Sequence, residues 1–523
     1  MKYKIYNVIY FIVLVIISVI ITGSFFIRNE FPVTTFDELH FYLTNGVGNS
    51  DVNVFLDAIK TCLPYFLLLM IVFCFIFFDI TCGRFSIKYH SKKRSKRDRR
   101  VKINKFIQIY PFRIIYKHRF ILVSFLAIIS LVIATYNLDF VKFIQNSKLK
   151  SEFVDVHYID PKNTNVTFDQ KRNLVLIFVE SLETSFFSKD HGGQWEYDVI
   201  PELYNLTKDE DATVFYDKNK AKQLNMINGA SWTTAALVTN TSGLTFKIPI
   251  SGNQYHSENF MNGAYTLGDL LEKNGYHNEL ISGANTEFGG VKDYYTRHGN
   301  FKIIDYHSLD DNHLELDANE KNGWGFSDNY LFEIAKKRIK ELSKNDQLFN
   351  LNLVTIDTHF PDGYLYDYSV RNYGTQYENV YATTSKLIYD FIEWLKEQDI
   401  YDNTTIVVMG DHLSMQTNYF DSRGIEERYV YCCYINSAVK PEKNNNRVYT
   451  ALDTYPSIVA AIGGKIEGER LGLGVNLFSA DKTLSERYGV KKVESELSRN
   501  SDFYNKKILG KDFEEMIRSE SDE

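Results

Sequence analysis

Cysteine and strong positive charge are scarce in this sequence, and each absence excludes a class of protein. Only five cysteines occur in 523 residues, and two of them are adjacent, Cys432 and Cys433 in "YVYCCYIN". Adjacent cysteines rarely bridge each other and none has zinc-finger spacing, so we predict no disulfide and two buried strand positions. The formal net charge of -7 argues against nucleic acid as a partner. The length predicts at least two folded units.

Lysine and arginine are also absent from residues 30–57, which connect two apolar segments. Segments 6–27, 63–80 and 120–138 are each close to the roughly 20 apolar residues that a membrane-spanning helix needs. A signal peptide is the alternative for the first segment, but it lacks an A-x-A-like cleavage site and its apolar core is too long. We therefore predict three spans.

The positive charges that are present indicate the orientation of these spans. The N-terminal "MKYK" and the loop 84–119 are basic, so both are predicted to be cytoplasmic. A basic run can also bind nucleic acid, but between two spans we interpret it as a topology signal that contacts anionic lipid. Three spans then place everything after about residue 141 outside the cytoplasm.

Beyond a polar stretch at 141–172, with a short interfacial helix expected around 141–153, strand and helix patterns alternate. Apolar runs predict buried strands at 173–179, 277–282, 348–356 and 405–410, and helical spacing predicts helices at 330–344 and 384–398. This alternation indicates an α/β domain with a mostly parallel sheet covered by helices. The stretch 481–523 is charged, and we predict that it forms a peripheral extension.

Chemically reactive residues follow three of the predicted strands, where the carboxyl ends of an open α/β sheet form ligand sites. A fourth segment, "GASWTTAALVTNTSG", has two threonines where a loop turns into an apolar helix. The residues are Glu180 after the first strand, Asp357 and His359 after the third, Asp411 and His412 after the last, and Thr233 and Thr234 at the helix start.

Each of these residues has a purely structural interpretation. A glutamate after a strand is usually solvated, a threonine at a helix start is usually an N-cap, and an Asp-His pair beside glycine fits a turn. The combination favours a different hypothesis, because a carboxylate, an Asp-His pair and a threonine oxygen are ligands that manganese or zinc accepts. We therefore predict one divalent metal ion at the sheet edge.

The segments "NLVLIFVES", "GASWTTAALVTNTSGL", "DTHFPDG" and "GDH", in this order, resemble the alkaline phosphatase and sulfatase superfamily. Within it, the chain is most similar to bacterial membrane-anchored phosphoglycerol transferases, the group of lipoteichoic acid synthase and the periplasmic glucan phosphoglycerol transferase. The resemblance covers approximately residues 173–474 and implies an alkaline-phosphatase-like sheet. It implies an extracytoplasmic catalytic domain at 173–480, after a transmembrane region at 1–140 and a linker at 141–172.

The resemblance also implies roles for individual residues. Glu180, Thr233, Asp411 and His412 fall on the family's metal ligands, and Thr233 also falls on its nucleophile. His359 falls on the histidine that contacts the phosphoglycerol group, where it either protonates the leaving oxygen or holds a phosphate oxygen. Further substrate-binding candidates are Trp232 and, in the segment that resembles the head-group loop, Asn285 and Lys292. The Trp and Arg of lipoteichoic acid synthase have no clear counterparts there.

By this resemblance, the chain is expected to be a multi-pass protein of a bacterial cell membrane. It is expected to transfer glycerol phosphate from phosphatidylglycerol to a hydroxyl of a glycan, a teichoic-acid-type polymer or another polyol phosphate, through a phospho-threonine. A phosphoethanolamine transferase is the nearest alternative, although its exported domain is typically braced by disulfides. Sulfatase activity needs a C/S-x-P-x-R stretch, which is absent. A non-catalytic membrane-anchored binding module is the third alternative.

Overall fold

The computed structural model describes residues 2–30, 36–45, 52–77, 87–94, 102–109, 117–247, 259–312, 314–345 and 347–510. The chain forms two compact units, one of residues 1–32 and 52–141 and the other of residues 33–51 and 142–523. The α-helices are α1 (Lys2–Glu30), α2 (Phe36–Asn45), α3 (Val52–Phe77), α4 (Arg119–Asn137), α5 (Phe140–Lys148), α6 (Phe153–His157), α7 (Pro201–Leu206), α8 (Thr233–Ser242), α9 (Leu267–Lys273), α10 (Val291–Arg297), α11 (Asp328–Leu342), α12 (Gln376–Lys396), α13 (Thr417–Asp421), α14 (Thr454–Ala461), α15 (Leu484–Tyr488) and α16 (Val490–Leu497).

The strands in the described residues fall into one large sheet and three small ones. They are β1 (Ile87–Arg94), β2 (Lys102–Ile109), β3 (Val166–Phe168), β4 (Asn173–Val179), β5 (Ala212–Thr213), β6 (His277–Ser282), β7 (Lys302–Ile304), β8 (Phe349–Val354), β9 (Thr404–Gly410), β10 (Cys432–Ile435), β11 (Gly464–Ile466), β12 (Arg470–Leu471) and β13 (Gly474–Val475).

The first unit is built on three apolar helices. Stretches Ile5–Glu30, Ala58–Phe77 and Arg119–Asn137 are each long and apolar enough to cross a membrane. Helix α1 packs against both α3 and α4. The predicted second span continues to residue 80, and its last three residues lie outside the described residues. The basic loop contains an antiparallel ribbon of β1 and β2, and its cytoplasmic location stays a prediction.

The second unit is built on a seven-stranded sheet in the order β5-β10-β9-β4-β8-β6-β7. Strand β4 pairs in parallel with β8 and β9, β6 pairs in parallel with β7 and β8, and β10 is antiparallel. Every residue of β4, β8 and β9 is buried, as expected of continuous apolar runs in a sheet covered on both faces. The predicted mostly parallel α/β fold is confirmed.

Two predicted helices begin earlier than their apolar spacing indicated, because polar caps determine their starts. Helix α12 begins at Gln376, where Thr375 and Glu378 form a capping box. Helix α11 begins at Asp328, after Ser327 accepts a hydrogen bond from the amide of Tyr330. The predicted strand positions of Cys432 and Cys433 are confirmed in β10, where both are buried free thiols.

Residues on both sides of the predicted domain belong to the second unit. Strand β3 pairs with β11, and Ser151 donates a hydrogen bond to Glu496 over 2.8 Å. Near the C-terminus, the buried Arg447 binds the carboxylate of Glu486 at 2.9 Å. Helices α5 and α6 occupy the region where a short interfacial helix was expected. The division at residues 141, 173 and 481 stays a prediction.

Candidate metal centre and nucleophile

Glu180 and Asp411 are neighbours because β4 and β9 pair in parallel and end together. The register pairs Val179 with Gly410, so the next residue of each strand lies at the same edge of the sheet. The Ser181 amide donates to Asp411 Oδ1 over 2.7 Å, which fixes the two strand ends to each other. Gly410 is required there, because a Cβ atom would lie 2.0 Å from the carbonyl oxygen of Leu182.

His412 has its ring turned toward these two carboxylates. Its Nδ1 is 2.9 Å from the carbonyl of Leu413, to which an Nδ1–H donates. Its Nε2 lies 3.4 Å from Asp411 Oδ2 and 3.6 Å from Glu180 Oε1. In a metal-binding histidine, one ring nitrogen usually donates to an acceptor such as a carbonyl, and the other nitrogen binds the cation. The ligand atoms of the three residues lie within 4.8 Å of one another.

Thr233 is the first residue of α8, and its hydroxyl contacts this cluster. The N-cap of the helix is Trp232, which makes no side-chain cap hydrogen bond. Thr233 Oγ1 donates to Glu180 Oε2 over 3.2 Å and lies 3.5 Å from His412 Nε2. The N-cap interpretation of Thr233 is therefore wrong. The neighbouring Thr234 differs, because its hydroxyl donates away from the cluster to the carbonyl of Gly289 over 2.9 Å.

The electrostatics of the cluster reflect two carboxylates and an imidazole in a buried space. Burial and the nearby Glu180 carboxylate raise the pKa of Asp411 to about 7. Burial alone would raise the pKa of Glu180, but the charges of His412 and His359 and the hydrogen bonds from Ser181 and Thr233 outweigh it and lower that pKa. Two adjacent carboxylates resist full ionisation unless a cation joins them.

These donors fit a divalent cation. Asp411 Oδ2 is buried and has no hydrogen-bond partner among the described residues, although a carboxylate oxygen in such a place normally has one. Two carboxylates, a neutral imidazole nitrogen and a hydroxyl form a ligand set that zinc and manganese both accept. Glu180, Asp411, His412 and Thr233 would hold such an ion.

His359 lies on the loop after β8, the strand next to β4. Its Nδ1 is 2.7 Å from the carbonyl of Phe360, and its ring centroid lies 4.7 Å from that of Trp324. The hydroxyl of the preceding residue, Thr358, donates to the carbonyl of Glu180 over 2.5 Å, so this loop borders the cluster, and the charge of His359 helps to lower the pKa of Glu180. The sequence analysis missed Trp324, whose only local signal is its place between two glycines, shortly before the start of α11.

The other substrate-binding candidates lie on elements beside the cluster. Trp232 is 1% exposed and directly precedes Thr233. The buried Asn285 donates its amide to the carbonyl of Trp324 over 3.1 Å. The Lys292 ammonium lies on the surface, 3.4 Å from Glu287. The proposed roles of all three in binding stay predictions.

A second pair of buried acids supports the His359 loop, and it was also missed as a pair. Asp328 Oδ1 accepts from the amides of Ile356 and Asp357 over 2.8 and 3.2 Å. Asp357 in turn accepts from the Asp328 amide over 2.9 Å and from the Tyr366 hydroxyl over 2.8 Å. Burial raises the pKa of Asp328 to about 6. Both carboxylates therefore accept hydrogen bonds from other groups of the protein.

The sheet and the cluster together define an α/β protein with a candidate metal site and a threonine hydroxyl at the carboxyl edge of its strands. The family model for sulfatases matches residues 172–464, more than half of the chain. The chain belongs to the sulfatase family, as its resemblance predicted.

Proteins of known name are similar to parts of this chain. Phosphoglycerol transferase I of Shigella flexneri is 30% identical over 339 residues, which are 63% of this chain and 42% of that protein. The chain thus spans less than half the length of the curated relatives it matches. Among solved structures, the Listeria monocytogenes lipoteichoic acid synthase LtaP is 16% identical and covers 70% of this chain and 98% of its own, with a TM-score of 0.48. The Streptococcus pyogenes phosphoglycerol transferase GacH, in complex with sn-glycerol-1-phosphate, is 16% identical and covers 71% and 92%, with a TM-score of 0.42.

Proposed function

We propose that this protein is a metal-dependent phosphoglycerol transferase of a bacterial cell membrane. Its donor is phosphatidylglycerol, and its acceptor is a hydroxyl of an extracytoplasmic glycan or teichoic-acid-type polymer. The observation that carries the proposal is the position of Thr233 Oγ1, which is 3.2 Å from Glu180 Oε2 and 3.5 Å from His412 Nε2. The name of the Shigella relative supports the choice of phosphoglycerol as the group transferred.

In the first half-reaction, Thr233 Oγ attacks the phosphorus of phosphatidylglycerol. A bond forms between Oγ and phosphorus, and the bond from phosphorus to the diacylglycerol oxygen breaks. Glu180 accepts the Thr233 hydrogen bond and is proposed to take the hydroxyl proton. A bound divalent cation would lower the pKa of that hydroxyl and neutralise charge on the phosphate.

The first turn of α8 is proposed to bind the phosphate, and His359 is proposed to act on the leaving group or on a phosphate oxygen. The backbone N–H groups at the start of α8 have no partners within the helix and favour an anion beside Thr233. His359 is proposed to protonate the departing diacylglycerol oxygen or to hold a phosphate oxygen. In the second half-reaction, an acceptor hydroxyl attacks the phosphorus, the bond from phosphorus to Thr233 breaks, and the threonine regains its proton.

The experiment that tests this proposal compares two lipids. The full chain, purified in detergent with its metal, is placed in liposomes that contain phosphatidylglycerol or phosphatidylethanolamine, and diacylglycerol release is measured. We expect release from phosphatidylglycerol. Preferred release from phosphatidylethanolamine would show a phosphoethanolamine transferase instead. Release from neither lipid, in a protein that holds its metal, would contradict the proposal and favour a binding module.

A further inference from the structure

A buried ion pair, which the proposed reaction does not use, contacts the segment that follows His412. Glu183 is 0% exposed, and the side chain of Arg428 is 10% exposed. The Arg428 guanidinium donates to both carboxylate oxygens of Glu183, from Nε to Oε2 over 2.8 Å and from Nη2 to Oε1. Charged side chains are rarely buried unless they are paired and their remaining hydrogen bonds are also made. The other partners of this pair therefore show what it holds in place.

Both members of the pair bind the backbone of Ser414, two residues after His412. The Ser414 amide donates to Glu183 Oε1 over 3.2 Å, and Arg428 Nη2 donates to the Ser414 carbonyl over 2.8 Å. A guanidinium has enough donors, in one plane, to bind a carboxylate and a carbonyl together. The ion pair thus fixes the chain at Ser414 on both sides of its Cα atom.

The same contacts orient the His412 ring through one peptide group. The amide of Ser414 and the carbonyl of Leu413 belong to the same peptide unit, which is planar. Glu183 accepts from that amide, and His412 Nδ1 is 2.9 Å from that carbonyl. Because the two ends of a planar unit cannot turn independently, a carboxylate that holds the amide also holds the carbonyl that orients the imidazole.

A second series of hydrogen bonds joins Ser414 to Ser181, the residue after Glu180. The Ser414 hydroxyl contacts the Tyr377 hydroxyl, which lies 3.1 Å from the hydroxyl of Tyr381. Tyr381 in turn donates to the carbonyl of Ser181 over 2.9 Å. Both tyrosines are buried and lie on α12. The segments that follow β4 and β9 are therefore connected by buried polar groups as well as by strand pairing.

A metal ion binds most tightly when its ligands are already oriented, so the groups that orient a ligand contribute to affinity. We propose that Arg428 is a positioning residue for the candidate metal centre and acts through Glu183 and the peptide between Leu413 and Ser414 on the His412 ring. Arg428 is not itself a ligand, because a guanidinium has no acceptor atom. This inference rests on the metal centre of the proposed function.

The alternative role for the pair is to stabilise the fold alone, and the chain offers a matched pair for comparison. Arg338 donates from Nε and Nη2 to the two carboxylate oxygens of Glu279 over 2.6 and 2.9 Å. Its side chain is 18% exposed, and that of Glu279 is 0% exposed. This pair joins α11 to β6, which carries none of the candidate ligands.

The test measures stability and metal affinity in Arg428→Ala and Arg338→Ala. Each variant is made in the full chain and purified in detergent, and thermal melting of the metal-free protein is followed. Both melting temperatures should fall, because each change leaves a buried glutamate unpaired. Zinc affinity, from competition with a fluorescent chelator at a temperature where the protein is folded, should separate the two variants. We expect a loss of about tenfold or more in Arg428→Ala and of less than about twofold in Arg338→Ala.

Cobalt(II) in place of zinc gives a readout that a loss of stability alone does not change. Its visible absorption depends on the identity and geometry of its ligands. The spectrum of cobalt-loaded Arg428→Ala should therefore differ from that of the wild type, and the spectrum of Arg338→Ala should not. Arg428→Lys keeps the charge without the planar fork and should have an intermediate affinity. Compared with Arg338→Lys, it also preserves the test if the alanine variants do not fold.

Two results would assign the pair to the fold alone and overturn the inference. One is wild-type zinc affinity and a wild-type cobalt spectrum in the Arg428 variants, and the other is an equal loss of affinity in the Arg428 and Arg338 variants. A wild type that binds neither zinc nor cobalt would overturn the metal centre and this inference together. Failure of the proposed lipid reaction looks different, because the wild type would then bind metal and release diacylglycerol from neither lipid.

Discussion

Two buried acidic clusters lie at neighbouring strand ends of the same sheet, and they differ in how their oxygen atoms are engaged. At the end of β8, Asp328 and Asp357 accept hydrogen bonds from backbone amides and from Tyr366. At the ends of β4 and β9, Asp411 Oδ2 has no such partner among the described residues and faces His412 at 3.4 Å. The first arrangement holds a loop, and the second is suited to hold a ligand.

This difference distinguishes a structural acid from a functional one when both are buried and both have raised pKa values, as Asp328 and Asp411 do. Burial is common to the two clusters, so a raised pKa does not separate them. The hydrogen-bond partners of the carboxylate oxygens do distinguish the two clusters. Carboxylates saturated by the protein should matter for stability, and carboxylates that converge on one point should matter for metal binding and turnover.

The largest effect is expected for Thr233→Ala. This change removes the attacking oxygen, so diacylglycerol release should fall by several orders of magnitude in a protein that still folds. Thr234→Ser is the matched control, because it keeps a hydroxyl that donates to Gly289 and should retain most of the activity. Steady-state rates in liposomes and circular dichroism of both variants check this, and an active Thr233→Ala protein would contradict the assignment.

A smaller but clear effect is expected on metal binding. His412→Ala removes a nitrogen that faces both carboxylates, whereas His359→Ala removes a ring engaged by Phe360 and Trp324. Metal affinity should therefore fall at least about tenfold more in His412→Ala than in His359→Ala. Competition with a fluorescent chelator measures both values, and equal losses would erase the distinction between the two histidines. Protein that binds neither zinc nor manganese would refute the centre itself.

The stability of the metal-free protein should depend more on Asp328, whose oxygen atoms accept hydrogen bonds from the protein, than on Asp411. Asp328→Ala leaves the amides of Ile356 and Asp357 without their acceptor and should cost about 2–4 kcal/mol. Asp411→Asn can keep the hydrogen bonds from Ser181 and His412 and removes a charge next to Glu180, so it should cost little or stabilise the protein. Thermal melting of the metal-free full chain in detergent gives both shifts. A lower melting temperature for Asp411→Asn than for Asp328→Ala would break the comparison.

The smallest expected effect is a pH dependence that Asp328 contributes. Its pKa in the folded protein is raised from 3.8 to about 6, so the folded state holds this proton more tightly than the unfolded state. The stabilisation is complete below pH 3.8 and is lost as the pH rises through about 6. Asp328→Asn cannot titrate, so the difference in melting temperature between wild type and variant should change between about pH 4, close to the unfolded-state pKa, and about pH 7, roughly one unit above the folded-state pKa. A constant difference over this range would show that Asp328 keeps an ordinary pKa.

The sequence predicted the sheet and the members of the cluster because both depend on local patterns. Continuous apolar runs identified β4 and β9, and the polar residues that end them are adjacent once those strands pair in parallel. The position of Thr233 at the start of α8 followed from the change from loop to apolar helix. These features need only strand order and local spacing.

Other parts of the site depend on long-range packing that no local pattern reveals. Trp324 meets His359 only after α11 and β8 have packed together, and Asp328 and Asp357 recognise each other across 29 residues of chain. Helix α2 is another case, because it lies between two apolar helices in the sequence and belongs to the compact unit that contains the large sheet. A short "FDELHFYL" segment indicates an amphipathic helix, but nothing in it shows what its inner face contacts.

The central claim is that Thr233 forms a covalent intermediate at the candidate metal centre, and mass spectrometry tests it most directly. Full-length protein is mixed briefly with phosphatidylglycerol in the absence of acceptor, quenched in acid and digested. We expect a glycerophosphoryl group on Thr233 and none on Thr234, and no adduct in Thr233→Ala. An adduct on Thr234, or rapid diacylglycerol release without any adduct on Thr233, would contradict the account.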